Sequence, residues 1–148
     1  IRRTQMEMSM RRMMEAVPKA DVIITNPTHF SVAVKYDPDN MRAPVVVAKG
    51  ADYVAFEIRR IARENNVPIL SAPPLARAIY HTTEIDSEIP EGLYLAVARV
   101  LAYIFHLRRT ASGVNPDDLE MTDLTIPEEM QYGSDGKPQR DTSNDPKH

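Results

Sequence analysis

Two strand-like segments, residues 21–25 and 30–36, are separated by only four residues, and this spacing restricts the fold more than any other feature. Both segments are rich in β-branched side chains, which favour strands. Four residues are too few for the crossover that a parallel pair of strands needs. The sequence therefore predicts an antiparallel hairpin, joined by a turn of Asn26, Pro27, Thr28 and His29.

The conformation of this turn has two alternatives. With Pro27 at the second turn position, Thr28 occupies the third. A type I turn suits threonine there, whereas a type II turn gives it a positive φ. The second alternative would store strain of order 1–3 kcal/mol in a β-branched residue.

The Asn26–Pro27 bond has unusual chemistry, because proline lacks the N–H through which asparagine normally deamidates. The Asn26 side-chain nitrogen can instead attack its own carbonyl carbon, close a succinimide and expel Pro27. Orientation within the turn could lower this barrier by roughly 7–11 kcal/mol. His29 could exchange the proton, and Thr28 could hydrogen-bond the oxyanion. The candidate site is therefore Asn26, Pro27, Thr28 and His29.

The Asn-Pro dipeptide alone also fits an ordinary turn. Asp37-Pro38, Asn115-Pro116 and Asp145-Pro146 are similar pairs, and such pairs commonly start turns. Local chemistry therefore leaves both a cleavable bond and a simple turn open.

The rest of the chain predicts further helices and strands. Residues 1–17 show helical spacing of methionines among arginines, which fits either packing on the domain or a basic connector near a membrane or partner. Further elements are a fully buried strand at 45–48, a helix at 53–65 with Val54, Ile58, Ile61 and Ala62 facing inward, a strand at 67–70, a helix at 72–82 and a long helix from Pro90 to Leu107. The strands at 45–48 and 67–70 form a βαβ unit with the intervening helix.

These elements predict an α/β fold, a single compact domain with a small mixed sheet of about four strands surrounded by about four helices. An extended N-terminal helix precedes it, and a disordered C-terminal tail follows. The expected divisions are a connector helix at 1–18, a self-cleaving α/β domain at 19–110 and an acidic, largely disordered tail at 111–148.

Composition excludes several functions. With 148 residues, 43% of them hydrophobic, the chain fits one domain with one core. It has no cysteine, which excludes disulfides, thiolate metal sites and a cysteine nucleophile, and no apolar run long enough for a membrane span. Residues 1–20 are basic, 21–110 are balanced and 111–148 are acidic, which argues against a nucleic-acid face. The four histidines show no metal-ligand spacing, so neither a metal nor a cofactor is expected.

Several linked motifs resemble one known family. They are Arg12-Met13-Met14, Val17-Pro-Lys-Ala-Asp21, Asn26-Pro-Thr-His29, Val67-Pro68, Pro74-Leu-Ala-Arg-Ala-Ile-Tyr80, Ile89-Pro90 and the helix at 97–105. In this order they resemble the cytoplasmic, C-terminal domain of the FlhB/YscU family, the self-cleaving switch proteins of bacterial flagellar and type III secretion export machines. The segment Ala48-Lys-Gly-Ala51 and the helix beginning at Leu93 are more similar to the flagellar branch.

The resemblance implies one autocatalytic cut between Asn26 and Pro27, with the two fragments remaining associated. It also implies a role in switching export substrate specificity, with export apparatus components and exported flagellar proteins as partners. The complete protein would lie in the bacterial inner membrane, and this fragment would be a soluble part at its cytoplasmic face. The sequence leaves two rivals open. One is an uncut interaction module that docks export substrates or components, and the other is a metal-dependent enzyme that uses His29 and nearby acidic residues.

Overall fold

The computed structural model of the protein describes residues 2–110, 119–121, 123–133 and 136–138. The helices are α1 (Arg2–Ala16), α2 (Asp52–Glu64), α3 (Pro73–Thr82) and α4 (Tyr94–Thr110), with short 3-10 turns at Val17–Lys19, Glu91–Leu93 and Glu128–Met130. The strands are β1 (Val22–Asn26), β2 (Phe30–Lys35), β3 (Val45–Ala51), β4 (Ile69–Ser71) and β5 (Leu119–Glu120). The predicted α/β fold with a mixed sheet is confirmed.

The sheet is organised around β1. The strand order is β3-β2-β1-β4-β5, which makes β1 the middle strand. β1 pairs with β2 in the predicted antiparallel hairpin, and with β4 in parallel. The predicted βαβ unit of β3, α2 and β4 is present, but its two strands are not neighbours, since β2 and β1 lie between them.

Helices pack on both faces of the sheet. Alternate side chains of β1 enter two separate clusters, because successive residues of a strand point to opposite faces. Val22 and Ile24 pack with residues of α3 and α4, whereas Ile23 packs with Met13 of α1 and with residues of α2. Burial on both faces explains why the first three residues of β1, Val22, Ile23 and Ile24, form a continuous apolar run.

Two details of the predicted burial differ. The strand at 45–48 was expected to be fully buried, but β3 alternates between buried and half-buried residues because it lies at the edge of the sheet. On α2, Ile58 and Ala62 are buried as expected, whereas Val54 and Ile61 are only half-buried and Ala55 takes part in the core.

Part of the acidic tail packs on the domain. β5 pairs in parallel with β4, and Ile126 lies buried in the cluster that contains α3 and α4. The side chain of Met130 lies close to Gly92, in the 3-10 turn that precedes α4. The tail expected to be largely disordered spans residues 111–148, and of these 111–118, 122, 134–135 and 139–148 lie outside the described residues.

No helix in the part of the chain that the structure describes is both long enough and apolar enough to cross a membrane.

Candidate functional site

The predicted turn lies at the end of the central hairpin. Asn26 is the last residue of β1 and is only 6% exposed, whereas Pro27, Thr28 and His29 are exposed. The backbone N–H of His29 donates to the carbonyl oxygen of Asn26 across 2.9 Å. The structure thus places the four candidate residues in one hydrogen-bonded β-turn.

Thr28 decides between the two turn types left open by the sequence. Its φ is +70°, in the left-handed region. Together with Pro27 at the preceding position, this value fits type II and is incompatible with type I. A β-branched residue in this conformation carries strain of order 1–3 kcal/mol.

The side-chain nitrogen of Asn26 is buried without a hydrogen-bond partner. Among the described residues, no hydrogen-bond partner is present for its buried Nδ2. Leaving a buried polar donor unpaired typically costs about 1–3 kcal/mol. The backbone around it is well anchored, since the carbonyl of the preceding residue, Thr25, accepts a hydrogen bond of 3.0 Å from the N–H of Ala72. The turn therefore holds an unpaired amide on a fixed backbone.

The far side of the turn is anchored by α2. The carbonyl oxygen of His29 accepts a hydrogen bond of 2.9 Å from the backbone N–H of Asp52. Two residues further along β2, the buried Ser31 donates to the carbonyl of Ala55 at 3.0 Å and accepts from Arg59 at 3.1 Å. Burial, and secondly the positive charge of Arg63, lower the pKa of Arg59.

Aromatic side chains support the start of β2. The Phe30 ring lies 4.4 Å from that of Tyr80 and meets His81 edge-on at 5.3 Å, both distances between ring centroids. The exposed His29 ring lies 6.4 Å from Phe30. The hairpin is thus packed firmly on α3, while the His29 ring faces solvent at the turn.

One functional group was missed by the sequence analysis. The expected oxyanion partner was the Thr28 hydroxyl, but the donor seen at the Asn26 carbonyl oxygen is the His29 backbone N–H. A hydrogen bond from the fourth to the first residue is common in β-turns, so the turn prediction itself carried this signal.

Metal ligands are not grouped in the described ranges of the chain. No three histidine, aspartate or glutamate side chains there lie close enough to hold an ion.

The fold and the turn together define an α/β domain whose central hairpin ends in an Asn-Pro-Thr-His turn. Residues 1–104 match the family model described as the FlhB HrpN YscU SpaS Family. The chain belongs to the FlhB/YscU family.

Two curated relatives are flagellar proteins. The chain is 54% identical over 134 residues to flagellar biosynthetic protein FlhB of Escherichia coli strain K12, covering 89% of this chain and 35% of the relative. It is 51% identical over 109 residues to the same-named protein of Bacillus subtilis strain 168, covering 74% and 30%. The chain thus spans about a third of the length of these relatives.

Solved structures show the same fold. The cytoplasmic domain of FlhB from Shewanella putrefaciens matches with a TM-score of 0.73 at 53% identity, over 83% of this chain and 99% of that one. A mutated EscU C-terminal domain, in which an asparagine is replaced by alanine, matches with a TM-score of 0.60 at 26% identity, over 62% and 92%.

Proposed function

We propose that this chain is the cytoplasmic domain of a flagellar type III export apparatus protein, and that it cuts itself once between Asn26 and Pro27. Similarity to FlhB proteins supports the flagellar assignment, since the identity to the E. coli protein is 54% against 26% for the EscU domain. The observation that carries self-cleavage is the buried, unpaired Nδ2 of Asn26 on a hydrogen-bonded, strained turn.

The reaction needs only atoms of the turn and water. The Nδ2 lone pair of Asn26 forms a bond to its own carbonyl carbon, the carbonyl π electrons move to oxygen, and Nδ2 loses a proton. When the oxyanion collapses, the C–N bond breaks and its electron pair leaves with the Pro27 nitrogen, which gains a proton. Residues 1–26 then end in a succinimide, which water opens, and residues 27–148 begin with a free proline amine.

The unpaired state of Nδ2 favours the first step. An amide nitrogen that donates no hydrogen bond in the folded protein loses no such bond when it attacks. The Asn26 backbone is fixed by its pairing in the hairpin, and its side chain is buried. The amide nitrogen and the backbone carbonyl therefore have fewer relative orientations than they would have in an unfolded chain. Such restriction is the largest advantage available to an intramolecular reaction.

His29 contributes at two positions. Its backbone N–H already lies 2.9 Å from the oxygen on which negative charge develops, which is the geometry of an oxyanion donor. Its imidazole faces solvent and accepts no hydrogen bond from the buried Nδ2 in this structure. In this proposal the ring takes the proton from Nδ2 after a side-chain rotation or through water, and returns one to the Pro27 nitrogen. Thr28 contributes strain, since cutting the bond frees it from its positive φ.

The sheet explains how the two fragments would remain together. Residues 1–26 supply α1 and the middle strand β1, which is paired to β2 on one side and β4 on the other. Val22, Ile23 and Ile24 are fully buried, and each such side chain contributes about 1.5–3 kcal/mol. The cut therefore changes the exposed turn and leaves the core in place.

A change confined to an exposed turn suits a switch. A partner that binds the surface around Pro27 and His29 would contact a different backbone conformation after the cut, while the rest of the domain keeps its structure. In this proposal the change accompanies a switch in export substrate specificity, the partners are export components and exported flagellar proteins, and the complete protein lies in the bacterial inner membrane.

Replacement of the nucleophile tests the reaction. Wild-type protein, Asn26→Ala and the control Asn115→Ala should be incubated at neutral pH and followed by denaturing electrophoresis. Wild type and Asn115→Ala should yield two fragments, and Asn26→Ala should stay intact. Cutting that persists in Asn26→Ala would indicate an outside protease.

An uncut interaction module is the second candidate. Tyr53 and Phe56 are exposed on α2, at 73% and 49%, on the helix whose first residue contacts the turn, and such aromatic side chains suit a protein contact. An intact wild-type chain would favour this candidate.

A further inference from the structure

The junction between β3 and α2 has an unusual backbone conformation. Asp52, the first residue of α2, has a φ of +52°. In this conformation its N–H donates to the carbonyl oxygen of His29. Since Phe30 and Ala51 are the preceding partners in the β2–β3 register, this bond extends the ladder by one residue, at the point where the chain turns into the helix.

Close packing holds the junction in place. A Cβ added to Gly50 would lie 2.2 Å from Cγ1 of Val54, so the end of β3 approaches the first turn of α2 more closely than any other residue type allows. The first N–H groups of a helix have no partner within the helix. The N–H of Asp52 instead donates to the carbonyl oxygen of His29, the last residue of the Asn-Pro-Thr-His turn.

His29 is therefore held from both sides. Its N–H donates to Asn26, the residue that would be cut, and its C=O accepts from Asp52. Displacing the Asp52 N–H would release one of these restraints and let His29 move away from the Asn26 carbonyl. Small displacements of this kind are costly in a reaction that depends on orientation.

We propose that Asp52 is a positioning residue for cleavage, and that it acts through its left-handed backbone conformation rather than through its carboxylate. The inference rests on the proposed self-cleavage and assigns one further determinant of its rate. Substitutions can vary the backbone conformation and the charge of residue 52 independently, so the two contributions can be separated.

Four substitutions separate conformation from charge. Asp52→Asn and Asp52→Gly remove the carboxylate but adopt positive φ readily. Asp52→Val keeps φ positive only at high steric cost, and Asp52→Ala at a lower one. If the valine variant does not fold, the alanine variant is measured in its place. Asn and Gly should retain the wild-type rate within about threefold, since they keep the conformation. Val should slow cleavage by about 10²-fold, and Ala by less.

Asn66 provides the matched control. It also has a positive φ, +59°, but follows the opposite end of α2. Asn66→Val introduces the same backbone clash far from the turn along the helix. It should lower the thermal stability as Asp52→Val does, and leave the cleavage rate unchanged when both are measured well below their melting temperatures.

A spectroscopic readout follows the position of His29 directly. In an Asn26→Ala background, which cannot cut, hydrogen exchange of the His29 amide should be faster with Asp52→Val and unchanged with Asn66→Val. Two results would overturn the proposal while wild type still cuts. One is equal slowing of cleavage by Asp52→Val and Asn66→Val, and the other is slowing by Asp52→Asn as large as that by Asp52→Val. Failure of wild type to cut would instead overturn the proposed function.

Discussion

The backbone N–H of His29 lies 2.9 Å from the carbonyl oxygen of Asn26, so the residue that can supply a proton acceptor also supplies a fixed donor to the reacting carbonyl. One residue serves two steps because a β-turn brings its fourth residue back to its first. Separation of the backbone and side-chain contributions of His29 is therefore experimentally accessible, since substitution removes only the imidazole.

Removal of the His29 imidazole should slow cleavage. A positioned acid or base typically contributes about 10²–10⁴-fold to a rate, so His29→Ala should cut more slowly by about 10²-fold while keeping the backbone N–H at the Asn26 carbonyl. Initial rates of the wild type and of His29→Ala, measured side by side at neutral pH, check this. An unchanged rate in His29→Ala would exclude proton transfer by the ring.

Relief of strain at Thr28 should have opposite effects on folding and cleavage. Glycine accepts a φ of +70° without a steric penalty, so Thr28→Gly in an Asn26→Ala background should raise the free energy of unfolding by about 1 kcal/mol. With Asn26 present, the same change should slow cutting, because less strain is released. Urea unfolding and cleavage time courses provide the two measurements, and faster cutting by Thr28→Gly would contradict a role for strain.

The two fragments should separate only on unfolding. β1 is the middle strand and its apolar side chains are buried, so residues 1–26 are expected to stay attached after a cut. Size-exclusion chromatography of the cut protein should give one species, and the same sample should give two bands in denaturing electrophoresis. Ile24→Ala should lower the free energy of unfolding by about 2–5 kcal/mol, the usual range for such core truncations, and should promote dissociation of the two fragments. Release of residues 1–26 from wild type in native buffer would contradict this packing.

The described part of the tail should contribute to stability. Ile126 is 7% exposed and packs on the cluster of α3 and α4, so Ile126→Ala should lower the free energy of unfolding by about 2 kcal/mol. Leu95, on α4, is 70% exposed, and Leu95→Ala is the matched control, expected to change it by less than about 0.5 kcal/mol. Equal effects would mean that the tail does not pack as described.

Local signals predicted the hairpin and the candidate site. Short spacing between β-branched runs specifies antiparallel pairing, and proline at the second turn position leaves only two common turn types. The choice between them depended on Thr28, because its preference for negative φ is overridden by the packing of both strands. The His29 backbone donor has no side-chain signature, so residue types alone do not indicate it.

Nonlocal contacts were not predictable in the same way. The placement of β1 between β2 and β4 depends on closure of the whole sheet, which no short segment specifies. Ile126 and Met130 have no helical or strand-like repeat, so their packing on the domain gave no periodic signal. The positive φ of Asp52 likewise arises from the junction between β3 and α2, and aspartate at a helix start ordinarily indicates only a favourable charge.

Mass spectrometry of the denatured protein, after incubation at neutral pH, tests self-cleavage most directly. Two masses are expected, one for residues 27–148 with an amino-terminal Pro27, and one for residues 1–26 ending at Asn26. A fraction of the shorter fragment should be lighter by one water, as the succinimide. A single mass for the intact chain, or termini at any other bond, would contradict cleavage by Asn26.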